Sequence, residues 1–293
     1  MNKSKIIFGC GYLGARVARR WRDAGHDVVV VTRSRERADQ FQREGYATIV
    51  ADVTRPESLN NLPSAETALF AVGFDRSAGT SGPSIEVVYA GGIRNVLAAL
   101  PSGVGRFIYI STTGVYGPAG GYWVDEATPP DPRREGGRAS LAAEQALAAN
   151  SLGSRGVILR LAGLYGPGRV PFIGQLRAGE PIPAPESGYL NLIHVDDAAA
   201  TVLAADGLAP FNDGPRTFCV SDGHPVRRGE YYNEVARQIG APAPRFVEAD
   251  PKSPRAARAE SNRRVRNDRM LAELHVSLAY PDYRAGLTAI LTT

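Results

Sequence analysis

Ile6-Ile7-Phe8-Gly9-Cys10-Gly11-Tyr12-Leu13-Gly14 is the stretch that decides the fold. The apolar run before Gly9 suits a buried strand, and Leu13, Val17 and Trp21 recur at helical spacing after it, so the glycines sit at a strand-to-helix turn. In that setting Gly9 permits the tight turn, Gly11 lets the backbone approach a pyrophosphate, and Gly14 lets helix and strand pack closely. The pyrophosphate would rest on the unpaired N–H groups at the helix amino end, with Tyr12 and Leu13 completing the loop. A glycine turn can be merely structural; strand, helix and second strand together favour dinucleotide binding.

The second strand, Asp27 to Val31, delivers Thr32 where a carboxylate would hydrogen-bond the adenosine ribose. A carboxylate there repels a 2′-phosphate, whereas a small neutral residue followed by Arg accommodates one. The expected cofactor is therefore NADP(H) rather than NAD(H), with Arg33 leading and Ser34, Arg35 and Arg37 in support. The competing reading is a solvated helix start, since the chain uses 31 Arg against three Lys.

At 293 residues and 43% hydrophobic content the chain can build one large domain or two small ones. Ile6–Phe8 is too short for a signal-peptide core and no run approaches a membrane span, so a cytoplasmic location with no membrane partner is expected. Cys10 and Cys219 form neither a metal cluster nor a disulfide framework and read as reduced, buried thiols. The net charge of +4 is modest. Its strongest cluster, Lys252, Arg255, Arg258, Arg263, Arg264, Arg266 and Arg269, reads as a solvated face without aromatic interleaving, which argues against a nucleic-acid partner. An anionic substrate is a better use for one or two of these arginines. No spacing suggests a metal site, and no Gly-x-Ser-x-Gly elbow suggests a serine hydrolase.

Strand patterns at Lys5–Phe8, Asp27–Val31, Thr48–Val50, Ala68–Val72, Arg106–Ser111 and Gly156–Arg160 alternate with helical patterns at Arg35–Glu44, Pro56–Leu62, Ser84–Leu100 and Arg138–Asn150. Such alternation predicts an α/β fold, a Rossmann-type doubly wound parallel sheet, with ligands at the carboxyl ends of its strands. After Arg160 the chain turns Gly- and Pro-rich. Tyr189–Val195 and Thr217–Val220 read as further strands, Arg228–Ile239 and Arg269–Leu274 as helices. The expected division is a dinucleotide-binding domain over 1–165, to which 189–220 returns, and a smaller, discontinuous α+β substrate domain from 166–188 and 221–293. A small-molecule substrate would lie in the cleft between them.

The glycine loop, Asp52-Val53, Ile108-Tyr109-Ile110-Ser111-Thr112-Thr113-Gly114-Val115-Tyr116-Gly117, Leu159-Arg160, Tyr165-Gly166-Pro167-Gly168 and Ile193-His194-Val195-Asp196-Asp197 follow one another in this order. With these six stretches the chain resembles the extended short-chain dehydrogenases/reductases, the NAD-dependent epimerase/dehydratase superfamily, over nearly its whole length. The resemblance implies that Asp52 and Val53 lie against the adenine and Ala71, Val72 and Gly73 on the adenosine ribose side. It places Ser111, Leu161 and Ala162 near the nicotinamide, and Thr112 at the Ser/Thr that hydrogen-bonds the reacting oxygen. It also suggests a homodimer through the helices of Ser84–Leu100 and Arg138–Asn150.

One family feature is missing. Aligned on Leu141–Glu144, Gly136 stands where the family's Tyr-x-x-x-Lys has its Tyr and Ser140 where it has its Lys, and neither can do that work. None of the three lysines follows a tyrosine by four positions. Tyr165 with Arg169 borders the expected cleft as a surrogate pair, although Arg cannot itself shuttle a proton. His194 is the best remaining proton carrier by its ordinary pKa. Both it and Thr112 have structural alternatives, as residues satisfying a helix junction and a loop backbone. Thr112, Tyr165 and His194 are thus the catalytic candidates; Thr113, Tyr116, Arg169 and Asn191 are the substrate-contact candidates, with Tyr116 leaning toward packing. The expected activity is an NADP(H)-dependent oxidoreductase acting on a small or nucleotide-linked carbonyl or hydroxyl compound. Its alternatives are a non-catalytic NADP(H) sensor and an epimerase or non-redox isomerase or cyclase.

Overall fold

Ile6, Ile7, Phe8, Val30 and Val31 are at most 2% exposed, as strands covered on both faces must be. They belong to β1 (Ser4–Phe8) and β2 (Asp27–Thr32), which pair in parallel. The computed structural model describes residues 4–75, 82–211, 213–248, 250 and 262–291. Within these, α1 (Gly14–Asp23), α2 (Arg35–Arg43), β3 (Ala47–Val50), β4 (Thr67–Phe70), α3 (Gly92–Ala99), β5 (Arg106–Thr112), β6 (Trp123–Val124), α4 (Glu135–Ala148) and β7 (Gly156–Leu161) complete the first part. The seven-stranded sheet runs β12-β7-β5-β4-β1-β2-β3, all parallel, with β12 (Arg216–Val220) on the edge beside β7. Strand order reverses between β1 and β4, which opens a crevice at their carboxyl ends.

Helices cover both faces. Val17 and Trp21 of α1 share one apolar cluster with Val202 of α6 (Val195–Asp206). Ile93, Val96 and Leu97 of α3 and Ala143 and Leu147 of α4 share the opposite one. These residues of α3 and α4 are buried against the chain's own sheet.

Short elements carry the rest: β8 (Gly163–Tyr165), α5 (Ile173–Ala178), β9 (Ile182–Pro183), β10 (Tyr189–Leu190), β11 (Leu192–His194), β13 (Val226–Arg227), α7 (Arg228–Gln238), β14 (Phe246–Val247), β15 (Arg264–Val265), α8 (Asp268–Leu274) and α9 (Tyr283–Leu291). A separate apolar cluster of Leu176, Ile182, Tyr231, Val235, Tyr283 and Leu287 holds most of them together.

Several expected boundaries are corrected. Pro56–Leu62 is only a 3-10 turn at Pro56–Leu59. Ala68–Val72 stops pairing at Phe70, because the chain then crosses over Gly9. Ser84–Leu100 contains a π-helical turn at Val87–Gly91 before α3. Tyr189–Val195 breaks into β10 and β11, which pair with β13 and β8 rather than the main sheet, and Val195 already opens α6. The basic run is not one solvated face: Arg263 is 5% exposed, while Lys252, Arg255 and Arg258 lie outside the described residues. Burial pushes both thiols up, to about 12 at Cys10 and at Cys219, so neither is a ready thiolate.

Candidate functional site

Gly9 adopts φ +88°, and a Cβ there would lie 2.6 Å from the Ala71 carbonyl oxygen and the Val72 nitrogen. Only glycine satisfies both the conformation and the crossing chain. A Cβ on Gly14 would lie 2.5 Å from the Gly9 carbonyl oxygen, so helix and strand meet as the spacing predicts. Gly11 differs: apart from its chain neighbours, nothing among the described residues lies within 4 Å of its Cβ position. The loop thus offers an open cradle beside the amino end of α1, whose amides receive no side-chain cap. These residues fit a pyrophosphate.

Around this cradle, Tyr12 donates its hydroxyl to the Pro167 carbonyl at 3.0 Å and lies under the Arg16 and Arg169 guanidinia, 4.4 and 5.3 Å from its ring centroid. Leu13 is buried in the core. Thr32 Oγ accepts the Ser34 amide at 3.4 Å, and Ser34 Oγ caps α2 by accepting the Arg37 amide at 3.3 Å. Arg37 reaches back to donate to the Cys10 carbonyl at 2.8 Å, so it braces the glycine loop. Arg33 is half exposed and pairs with Asp75. Asp52 Oδ1 accepts the Thr54 amide and hydroxyl, Val53 packs against Gly92, and among the described residues nothing beyond the chain neighbours lies within 4 Å of the Gly73 Cβ position.

On the other side of the crevice, Thr112 ends β5 half-buried, and its Oγ accepts the Gly114 amide at 3.0 Å. Ser111 points the opposite way, as alternation along a strand requires. Its hydroxyl donates to Glu144 Oε1 at 2.5 Å and is 4% exposed, so any approach to a nicotinamide would be by backbone. Glu144 also receives Arg160 through Nε and Nη2 at 3.0 and 2.6 Å, a buried bidentate pair that ties α4 to β7. Leu161 and Ala162 are each 7% exposed at the strand's end, with the Ala162 amide donating to Val220.

Six of the site candidates meet the chain's own groups. Tyr165 is 1% exposed, with its hydroxyl donating to the Asp282 backbone carbonyl at 3.4 Å and burial pushing its pKa up. Arg169 stacks on Tyr12 instead of partnering it. His194 is equally buried. Its Nδ1 accepts the Asp196 amide at 3.3 Å as the cap of α6, and burial lowers its pKa, so it is a neutral structural imidazole. Tyr116 does not line a cleft: its hydroxyl meets Arg160 at 2.8 Å and Cys219 at 3.1 Å. Asn191 uses its amide on the chain itself, donating to the Arg263 carbonyl and accepting the Val265 amide at 3.0 and 2.7 Å. Thr113 is 7% exposed, and its carbonyl accepts Arg263 Nη2 at 2.8 Å.

Arg134 escaped the sequence reading, and Arg263 stood there only as one member of the basic cluster. Arg263 also donates Nη1 to the carbonyls of Tyr116 and Gly117 at 2.9 and 3.3 Å, so it lies behind the loop following Thr112. Arg134, at the amino end of α4, has Nη2 3.1 Å from the Cβ position of Gly114. No spacing rule links either to Thr112. Among the described residues no group of three or more His, Cys, Asp or Glu could hold a metal, and no helix is long and apolar enough to cross a membrane.

The profile of the NAD dependent epimerase/dehydratase family matches residues 6–210. Protein YeeZ of Escherichia coli (strain K12) is 32% identical over 251 residues, covering 83% of this chain and 86% of that protein. A 3-diazoavenalumate denitrifying reductase of a Streptomyces species is 27% identical over 309 residues, covering 94% and 96%. The structure of a conserved protein of unknown function from Silicibacter pomeroyi DSS superposes with a TM-score of 0.77 at 29% identity, covering 99% and 98%.

Proposed function

The chain belongs to the NAD dependent epimerase/dehydratase family, and from that membership we propose that it is an NADP(H)-dependent oxidoreductase acting on a small-molecule or nucleotide-linked carbonyl or hydroxyl compound. The observation that carries the reading is the open cradle at Gly11, formed where the strand order reverses. Gly9, Gly11, Tyr12 and Gly14 would hold the pyrophosphate; Thr32, Arg33 and Ser34 would face the adenosine 2′-phosphate; Arg37 keeps the loop in place. A bound nicotinamide would supply or accept hydride. A relative named as a reductase supports this chemistry.

Thr112 is the chain's reacting-oxygen contact. Because its Oγ lone pair is taken by the Gly114 amide, its own O–H is left to donate toward a substrate oxygen. With Tyr165 and His194 buried, the proton for that oxygen comes from solvent. Thr112→Ala is expected to lower kcat about a hundredfold with the NADPH Kd unchanged, while Thr112→Ser keeps most activity. Full turnover by Thr112→Ala, with an identified carbonyl substrate, would remove Thr112 from the chemistry.

The burial of Tyr165 and His194 specifically favours a second reading, a non-catalytic NADP(H) sensor. That reading expects NADPH binding with no oxidation across a panel of aldehydes, ketones and 2-oxo acids. Turnover sensitive to Thr112→Ala would dismiss it.

A further inference from the structure

A cavity of about 510 Å³ opens where the loop leaving Gly117 turns at Gly120 and Gly121; Ser187, Tyr189, Arg227, Asn262 and Arg264 line it, with glycines for the rest. That volume suits a small molecule. The lining carries two guanidinium groups and no carboxylate. Elsewhere arginines are tied to acids, as Arg160 is to Glu144 and Arg266 to Asp268. Arg227 and Arg264 are held differently. Both lie over the Tyr189 ring, 5.3 Å from its centroid; Arg264 also lies 5.0 Å from the Trp123 centroid, and its Nε donates to the Gly121 carbonyl at 2.7 Å. Stacking and one backbone acceptor fix these guanidinia without neutralising them. Among the described residues neither has an ion-pair partner; Glu186 and Glu230 share an adjoining depression with Arg227 but do not pair with it. Asn262 Oδ1 accepts the Tyr189 amide at 3.3 Å, while its Nδ2, 3.6 Å from the Gly121 Cβ position, has no acceptor among the described residues. Behind Gly188, whose Cβ position is 3.7 Å from its Nη1, the Arg228 side chain is buried and donates to the Pro185 and Ser187 carbonyls at 2.8 and 2.5 Å. Three cations gathered without a counter-charge cost free energy that a bound anion offsets.

We propose that this cavity binds the oxyanion, a phosphate or carboxylate, of a small compound that carries no nucleoside. The rings argue against a nucleoside. Tyr189 carries two guanidinia, and so does Trp123, where Arg266 also lies 5.0 Å from the centroid, so both rings serve to hold arginines rather than to stack a base. Arg227 and Arg264 are the direct contacts, Asn262 adds a neutral donor, and Arg228 acts from behind. Arg263 and Arg264 are consecutive: the first donates to the Thr113 and Gly117 carbonyls, the second to that of Gly121, so one segment fastens the loop after Thr112 and the anion cavity together. The compound is then the substrate, held by its charged end, an identification that rests on Thr112 being the reacting-oxygen contact.

The test titrates pyrophosphate, citrate, neutral sorbitol and uridine diphosphate into the dinucleotide-free protein by calorimetry at low salt. Pyrophosphate or citrate should bind about tenfold or more tightly than sorbitol, and the better of the two tells phosphate from carboxylate. Uridine diphosphate should bind no more tightly than pyrophosphate. Arg227→Gln and Arg264→Gln, in proteins that melt at the wild-type temperature, should each weaken anion binding about tenfold. Arg264→Lys should recover part of it by keeping the charge without the planar fork, and the exposed Arg177→Ala should change nothing. Anion binding no tighter than that of sorbitol, or undiminished in both folded glutamine variants, overturns the proposal. So does an advantage of uridine diphosphate over pyrophosphate that those variants abolish. With no dinucleotide present, the titration reads this cavity whether or not NADPH binds the crevice, so the two assignments fail separately.

Discussion

Asp222 shows how one residue's surroundings become a property of the whole chain. It is 2% exposed; Oδ1 accepts the His224 amide at 2.9 Å, while Oδ2 has no hydrogen-bond partner among the described residues. Burial pushes its pKa up to about 7. With the folded value above the unfolded one, the folded chain binds the extra proton between about pH 4 and pH 7. Stability from this group is therefore complete below about pH 4, falls as pH rises through 7, and is flat beyond. Asp222→Asn, which mimics the protonated side chain, should gain on the wild type by roughly 2–4 kcal/mol between pH 4.5 and pH 7.5 in urea unfolding. A difference independent of pH would mean that Asp222 is ionised at both. None of this was legible in Asp222-Gly223-His224-Pro225, because burial is set by distant residues; Asn267, for one, packs against Gly223.

At the scale of elements, α4 was readable in outline and misread in emphasis. Gly136 and Gly137 are adjacent in sequence, yet the structure gives them different duties. A Cβ on Gly137 would lie 2.3 Å from the Gly114 carbonyl oxygen, so the helix closes directly on the loop after Thr112. A Cβ on Gly136 would meet, among the described residues, only the tip of Ile85, at 3.3 Å. Gly137→Ala should cost about 2–4 kcal/mol in urea unfolding, whereas Gly136→Ala should be neutral or stabilising by up to about 1 kcal/mol through helix propensity. The reverse order would refute this packing of α4. Glu144 ties the same helix to the sheet through its buried pair with Arg160. Tyr165 and His194 misled for the opposite reason. Their strand and loop were legible, but α9, whose Gly286 comes against the Tyr165 hydroxyl, covers them from the far end of the chain.

Across the whole molecule, what the sequence made legible is what local pattern controls: alternating strands and helices, the glycine turn, and the strand end at Thr112. The partnerships of Asn191 with 263–265 and of Arg263 with 113–117 join segments far apart in sequence, and no periodicity encodes them. The central claim, that the crevice between β1 and β4 holds a phosphorylated dinucleotide, depends on the legible part. Calorimetric titration of NADPH and NADH into the wild type and Gly11→Ala tests it most directly. Because Gly11 faces open space, its alanine variant should melt at the wild-type temperature and bind NADPH at least tenfold more weakly. The wild type should bind NADPH at least tenfold more tightly than NADH. No binding of either dinucleotide by the folded wild type, or undiminished NADPH binding by Gly11→Ala, would contradict the account.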